Sequence, residues 1–339
     1  MSTIIANQQY GKDKVRLVKV TRLPPDPAAP HLKHQIVTEL TVRVLLSGDF
    51  DASYEKADNS LVVPTDTVKN TIYILAKKSS NPTLQTPELF ARELSLHFLS
   101  KYSHISSVDV LIESHNWTRI QTTTFSPVSS SSTGTAFPTT TTTKEHPHSF
   151  YRAGEDKRVV RLVGTRTSEP GKTLSVRYTL TSGLKDLYVL KTTGSSFENF
   201  HKCENTTLPE MADRIFSTNI DATWSYGPLI ETVGSGKSHY EGLNFDKFFA
   251  GVKQMTLDIF ANHDSPSVQN TLYRIGDTVL KCFREVAEVS FVLPNKHAFL
   301  YDLERFGLPN KGDEAEVFYP VADPSGYISA TITRKQAHL

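Results

Sequence analysis

One order of elements occurs twice along this sequence, and it limits the fold more than any other feature. Residues 15–22 and 35–48 alternate apolar and polar side chains, a pattern that predicts two strands. Helical periodicity follows over residues 66–78 and again from Thr86, where Pro87 occupies the first turn. Strands return over residues 108–120.

The second half repeats two strands, helices and two strands. The predicted elements are strands over 157–167 and 174–193, a short helix over 208–217, helices over 245–261 and 267–286, and strands over 288–301 and 315–333. The last helix carries an apolar stripe of Val268, Leu272, Ile275, Val279, Cys282 and Val286. Together these patterns predict an α+β protein, a duplicated unit of antiparallel sheet with helices on one face.

Composition excludes several classes of protein. The 339 residues include 37 Lys or Arg and 36 Asp or Glu, so there is no basic excess of the kind nucleic-acid binders carry. Apolar runs reach only about five residues, far from the 18 or more of a membrane span. Cys203 and Cys282 cannot form a disulfide framework. We expect a soluble intracellular protein that binds neither nucleic acid nor membrane.

A low-complexity segment interrupts the first half, since 15 of the 23 residues in 121–143 are Ser or Thr. So few apolar side chains cannot offset the entropy of ordering, which predicts a disordered surface loop over about 121–144. A phosphorylated regulatory loop is the functional alternative.

Two apparent motifs carry no function. Gly234 to Ser238 resembles the end of a phosphate-binding loop, but Glu231 stands where that pattern needs its first glycine. His146 and His148 have the spacing of metal ligands on a strand, but no third ligand is adjacent.

Seven separated motifs carry a family resemblance. They are YGKD from Tyr10, TDTVKNTIY from Thr65, DRIFST from Asp213, DATW from Asp221, SVQNTLY from Ser267, LPNKH from Leu293 and DPSG from Asp323. In this order they closely resemble urate oxidase, the cofactor-free uricase family of purine breakdown. The resemblance covers nearly the whole chain apart from the Ser/Thr-rich insert, and Pro64 departs from the small apolar residue common before Thr65.

The resemblance implies the tunnelling fold (T-fold). In that fold two ββααββ-like halves, here residues 1–147 and 148–333, build a sheet with helices outside. Two subunits close the sheet into a β-barrel, and two barrels stack as a homotetramer. Residues 334–339 form a tail.

The resemblance also implies a urate site. Residues implied in substrate binding are Thr65, Asp66, Phe197, Arg214, Val268, Gln269 and Asn295, with Leu208 and Ile328 lining the site. These residue types suit a flat anion: an aromatic ring stacks on it, a planar guanidinium donates two hydrogen bonds, and an amide donates and accepts. The predicted helix starts near Asp66 and Val268 would add unpaired N–H groups.

The implied chemistry uses no metal and no organic cofactor. Urate, O2 and water give 5-hydroxyisourate and hydrogen peroxide, with Lys12, Thr65 and His297 as the proton relay. Thr65 and Asn295 hold oxygen or the attacking water. The family places Lys12 and Thr65 on one subunit and Phe197, Arg214, Gln269 and His297 on its neighbour.

Ala337-His338-Leu339 resembles the Ser-Lys-Leu peroxisomal address, so we expect recognition by a peroxisomal import receptor and a peroxisomal location. Two alternatives to urate oxidation remain open: another tunnelling-fold enzyme acting on a purine or pterin, and a catalytically inactive purine-binding oligomer. Taken singly, Lys12, Thr65, Arg214 and His297 also have ordinary structural explanations.

Overall fold

The structure is a computed structural model that describes residues 3–25, 27, 31–126, 139–169, 171–235 and 242–335. Its strands are β1 Tyr10–Arg22, β2 Gln35–Gly48, β3 Ile105–His115, β4 Thr118–Ser126, β5 Thr139–Tyr151, β6 Lys157–Arg166, β7 Ser175–Lys191, β8 Phe216–Tyr226, β9 Leu229–Thr232, β10 Val286–Leu300 and β11 Phe318–Thr333. Its helices are α1 Asp51–Glu55, α2 Thr65–Lys78, α3 Asn81–Gln85, α4 Pro87–Lys101, α5 Phe245–Asn262 and α6 Val268–Cys282, with 3-10 turns at Glu304–Phe306 and Gly312–Glu314.

One antiparallel sheet organises the described residues. Its strands follow the order β1-β2-β3-β6-β7-β8-β10-β11, and β9 pairs with β7. Strands β1 and β11 are therefore the two edges of the sheet. The predicted α+β class with an antiparallel sheet is confirmed, whereas the division at residue 147 stays a prediction.

The helices cover one face of this sheet. Leu40, Val42, Val44 and Leu46 of β2 are fully buried, while the alternate residues Thr41 and Arg43 are only half-buried. The buried face joins the helices in one hydrophobic core. Helix α2 packs on β1, α4 on β3 and β6, α5 on β7 and on α6, and α6 on β10 and β11. On the open face, Asp109 lies 2.8 Å from Arg161 and 3.7 Å from Arg43.

Helices α2 and α6 begin with related sequences. Residues 67–73 read TVKNTIY and residues 267–273 read SVQNTLY, both in the first turns of a helix. The equivalent residues are buried in both: Val68, Thr71 and Ile72 in α2, and Val268, Thr271 and Leu272 in α6. The two helices thus dock their first turns on the sheet through equivalent buried side chains.

The short helix predicted over residues 208–217 is wrong. Phe197 and Met211 exchange backbone hydrogen bonds of 2.8 and 3.0 Å, and the Arg214 N–H donates to the Ser195 carbonyl. The backbone groups therefore bond to a neighbouring segment instead of to the next helical turn. Strand β8 begins at Phe216.

The disordered loop predicted over 121–144 is also wrong for the residues that the structure describes. Strands β4 and β5 pair from Thr118↔Tyr151 to Ser126↔Thr139. Cross-strand backbone bonds need no apolar side chains, and β-branched threonine favours extended backbone. Residues 127–138 lie outside the described part, so the phosphorylation alternative stays a prediction.

The end of the last predicted helix needs a smaller correction. Helix α6 stops at Cys282, which is exposed, and Val286 already belongs to β10. Val286 fits the apolar spacing of the helix because it is also buried, but it is buried as the first residue of strand β10. No helix among the described residues is both long and apolar enough to cross a bilayer.

Candidate active site

A cavity of about 800 Å³ opens where the start of α6, strands β10 and β11 and the segment 195–215 meet. Eight residues singled out from the sequence line it: Phe197, Leu208, Arg214, Val268, Gln269, Asn295, His297 and Ile328. They come from separate parts of the chain, so the fold itself gathers them.

Arg214 is the cation of this cavity. Its guanidinium carbon lies 5.3 Å from the centre of the Phe197 ring. Its Nε is buried and has no hydrogen-bond partner among the described residues. Burial lowers the pKa of Arg214. A partly desolvated guanidinium with a free N–H is well suited to a planar anion.

Asp213 holds the turn in front of this arginine, a role that sequence reasoning missed. Its carboxylate accepts from the Thr193 hydroxyl at 2.6 Å and from the Gly194 N–H at 2.9 Å. The Thr193 hydrogen bond is the largest cause of its lowered pKa. Neither nearby carboxylate pairs with Arg214 among the described residues: Asp213 bonds Thr193 and Gly194, and Glu210 pairs with Lys202 at 2.7 Å. Gly194 and Asp213 are 19 residues apart, and no sequence pattern indicates a hydrogen bond over that distance.

The start of α6 presents backbone donors to the cavity. Ser267 caps the helix, and its hydroxyl accepts from the Asn270 N–H at 3.1 Å. Val268 is the first helical residue and Gln269 the second; both line the cavity, and the Gln269 side chain is exposed. The first N–H groups of a helix have no partner within it and favour an anion.

Asn295 and His297 share one side of β10. Both follow buried Leu293 at two-residue spacing, so they lie on the helix-covered face just beyond the core. Asn295 pairs with Gly326 whereas His297 pairs with Val321, so β11 bulges by several residues beside them. The His297 ring stacks on Phe299 at 5.8 Å between centroids. Bulges of this kind commonly re-aim side chains next to active sites.

Lys12, Thr65 and Asp66 lie at the other edge of the sheet. Lys12 pairs with Val44, so its side chain is on the helix-covered face of β1. A Cβ on Gly11 would stand 2.0 Å from the Val44 carbonyl oxygen, so glycine is required where β1 reaches Lys12. The Tyr10 hydroxyl accepts from the Val63 N–H at 2.8 Å and ties this strand to the loop before Thr65.

The start of α2 completes this second group. Thr65 and Asp66 are exposed, and the Asp66 carboxylate accepts from Lys69 at 2.6 Å and from the Asn70 amide at 2.8 Å. These contacts, first that with Lys69 and to a smaller extent the charge of Lys12, lower the pKa of Asp66. Seven strand steps of about 4.8 Å along the sheet separate this group from β11. One subunit therefore does not unite all the expected residues.

Comparisons with known proteins agree with these motifs. The sequence matches the uricase family over residues 8–163 and 180–329. The chain belongs to the uricase family. It is 40% identical over 340 residues to a uricase of Cyberlindnera jadinii, covering 99% of both chains, and 40% identical over 327 residues to one of Aspergillus flavus, covering 96% of this chain and 95% of that one.

A solved uricase has the same fold. The uricase from Arthrobacter globiformis superposes with a TM-score of 0.78 at 32% identity, covering 100% of this chain and 98% of that one. The predicted family is therefore confirmed, and the sheet and helices described above are the uricase fold. All nine expected binding and relay residues lie inside the matched ranges. Their individual roles stay predictions.

The cavity residues are aromatic, cationic and amide-bearing, a set suited to an anion more than to a metal ion. Among the described residues, no three His, Cys, Asp or Glu side chains cluster so as to hold a metal. The rings of His146 and His148 contact each other, 4.6 Å apart, away from the cavity lining.

Proposed function

We propose that this chain is a urate oxidase that converts urate, O2 and water to 5-hydroxyisourate and hydrogen peroxide. One observation supports the proposal most directly. In a member of the uricase family, the buried Nε of Arg214 lies beside Phe197 and the start of α6 and has no partner in the part of the chain that the structure describes. Urate loses two electrons to O2, the oxygen of water bonds to ring carbon C5, and the two released protons leave with peroxide.

Binding is assigned to one group of side chains. Arg214 donates to two neighbouring acceptors on the urate edge, Gln269 donates and accepts at the opposite edge, and Phe197 stacks on the ring. The backbone N–H groups of Val268 and Asp66, at two helix starts, donate hydrogen bonds to the remaining negatively charged atoms of urate. Leu208 and Ile328 exclude water from the ring edges.

Chemistry is assigned to a second group. Lys12 acts as a base through the Thr65 hydroxyl and a water, and His297 orients the lysine. Asn295 and Thr65 hold first oxygen and then the attacking water above the ring plane. Because the electron-rich urate dianion reduces oxygen directly, the protein needs to supply only position and proton transfer. No metal or organic cofactor enters this scheme.

The two groups meet across subunits in this proposal. Strands β1 and β11 are the sheet edges, and both carry exposed apolar or aromatic residues: Val18 is 61% exposed and Tyr327 is 73% exposed. A groove of about 370 Å³ between α6 and β11, lined by Leu272 and Ile332, is open in the single chain. Pairing β1 of one copy with β11 of another would cover these edges and form a barrel.

That pairing also completes the site. Lys12 and His297 both lie on the helix-covered face, so joining the edges places the first group of one copy beside the cavity of its neighbour. Two such barrels stacked as a homotetramer give the assembly that we propose. Dissociated monomers would then be inactive.

A peroxisomal location fits a reaction that releases peroxide, and we assign it to Ala337-His338-Leu339, which lie outside the described residues. Fusing residues 334–339 to a fluorescent protein tests it: peroxisomal accumulation, lost when the last three residues are removed, supports the assignment. Diffuse fluorescence contradicts it.

The activity itself is tested with chelator-treated, flavin-free protein given urate and air. We expect urate absorbance to fall while one peroxide forms per urate consumed. Activity that disappears with a stoichiometric metal or flavin, or an absence of urate loss, contradicts the proposal.

A further inference from the structure

Two walls of the cavity come from segments that are far apart in sequence but bonded to each other. Ser265, in the connection between α5 and α6, donates its N–H to the Gly194 carbonyl at 2.9 Å, and its carbonyl accepts from the Ser196 N–H at 2.8 Å. Phe197 follows Ser196 directly, and Gln269 is the second residue of helix α6, which follows Ser265. The position of this connection therefore sets the separation of the Phe197 and Gln269 walls.

One charged side chain, Lys191, holds the connection between α5 and α6 in place through hydrogen bonds. Lys191, at the end of β7, donates to the His263 carbonyl at 2.6 Å and to the Ser265 hydroxyl at 2.8 Å. Its ammonium lies 5.6 Å from the centre of the Phe260 ring. Burial lowers the pKa of Lys191, and the charges of Asp264 and Asp213 oppose that shift.

The hydrogen bonds continue from this lysine into the first turn of α6. The Thr271 hydroxyl donates to the Ser265 hydroxyl at 2.8 Å, and both side chains are almost fully buried. Thr271 also bonds the Ser267 carbonyl at 3.1 Å, one residue before Val268. A continuous polar path thus joins Lys191, Ser265 and Thr271 to the N–H groups that face the cavity.

We infer that Lys191 is a positioning residue for substrate binding, acting through Ser265 on the spacing between Phe197 and Gln269. It touches no cavity residue assigned to proton transfer: Lys12, Thr65 and His297 lie on other elements. The inference rests on the proposed urate site, and it predicts a selective effect on ring binding.

The test replaces the lysine with Lys191→Met, which keeps the length of the side chain but removes its charge and its donors. We expect Kd for xanthine, a purine that lacks the 8-oxo group, and KM for urate to rise about tenfold while kcat stays within about threefold. Ser265→Ala, which removes only a hydroxyl, should shift both constants the same way by about threefold. Because the two act along one path, the double variant should fall short of the sum of the two effects.

Two controls separate positioning from general weakening. Lys281→Met removes an exposed lysine from the far end of α6, and Val279→Ala removes buried methyl groups from the same helix. Two results would overturn the inference. One is unchanged xanthine binding in Lys191→Met and Ser265→Ala; the other is binding weakened no more than in a Val279→Ala protein of equal Tm. If the wild-type protein fails to oxidise urate, the proposed function fails, and xanthine affinity still reports on Lys191.

Discussion

At the scale of single residues, ring binding and proton transfer depend on different side chains of the proposed site. Arg214→Ala removes a charge-assisted contact that is present before any chemistry. We expect xanthine to bind about 10–100-fold more weakly, which corresponds to the usual value of a hydrogen bond to a charged group. Isothermal titration measures it, and Arg284→Ala, which removes an exposed arginine, is the control. An affinity equal to that of the control contradicts the assignment of Arg214.

Lys12→Met should do the opposite. Loss of a general base typically lowers turnover by about 10²–10⁴-fold, whereas xanthine affinity should stay within about threefold of wild type. Lys14→Met removes an exposed lysine from the same strand and should change neither. The relay assignment is wrong if Lys12→Met binds xanthine as poorly as Arg214→Ala and yet keeps a normal single-turnover rate.

At the scale of elements, a buried ion pair ties helices α4 and α5 to the sheet. Glu88 of α4 is fully buried and accepts from Arg158 of β6 and from the Ser182 hydroxyl of β7, each at 2.6 Å. Arg158 also contacts Asp246 of α5 at 2.5 Å. This network links helices α4 and α5 to the neighbouring central strands β6 and β7.

Breaking this pair should destabilise the fold without altering the site. Glu88→Ala leaves Arg158 buried without its main partner, so we expect the free energy of unfolding to fall by about 3–5 kcal/mol. Denaturant unfolding at fixed protein concentration measures it. Glu169→Ala, from an exposed pair with Lys172, should cost less than about 1 kcal/mol. An equal loss of unfolding free energy in the two variants would show that the buried pair stabilises the fold no more than the exposed pair.

Element types could largely be read from the sequence, because the strands and long helices of the core carry clear periodicity. Leu40 to Leu46 alternate, and Val268 to Val279 follow helical spacing. The errors fall where backbone bonding decides the structure. Met211 and Arg214 bond to the segment around Phe197, and the threonines of β4 and β5 bond across a hairpin. The pattern of apolar and polar side chains does not indicate which segments share these backbone hydrogen bonds.

At the scale of the whole molecule, the sequence motifs predicted a set of site residues, but local patterns could not predict where these residues meet. Arg214, Gln269 and His297 share one cavity in a single chain. Lys12 and Thr65 lie at the opposite edge of the sheet, and in the proposed assembly a second copy brings them close. Spatial proximity across subunits depends on long-range pairing and not on sequence spacing. The family resemblance supplied that expectation.

Subunit complementation tests whether two subunits share each active site. Lys12→Met and Arg214→Ala chains are coexpressed in equal amounts, and the unsorted oligomers are assayed with urate at saturating oxygen. In a symmetric shared-site dimer, each mixed pair has one site with both substitutions and one with neither. Random pairing therefore predicts about a quarter of wild-type activity from two nearly inactive parents. Activity no greater than the mean of the parents would contradict a site built from both edges of the sheet.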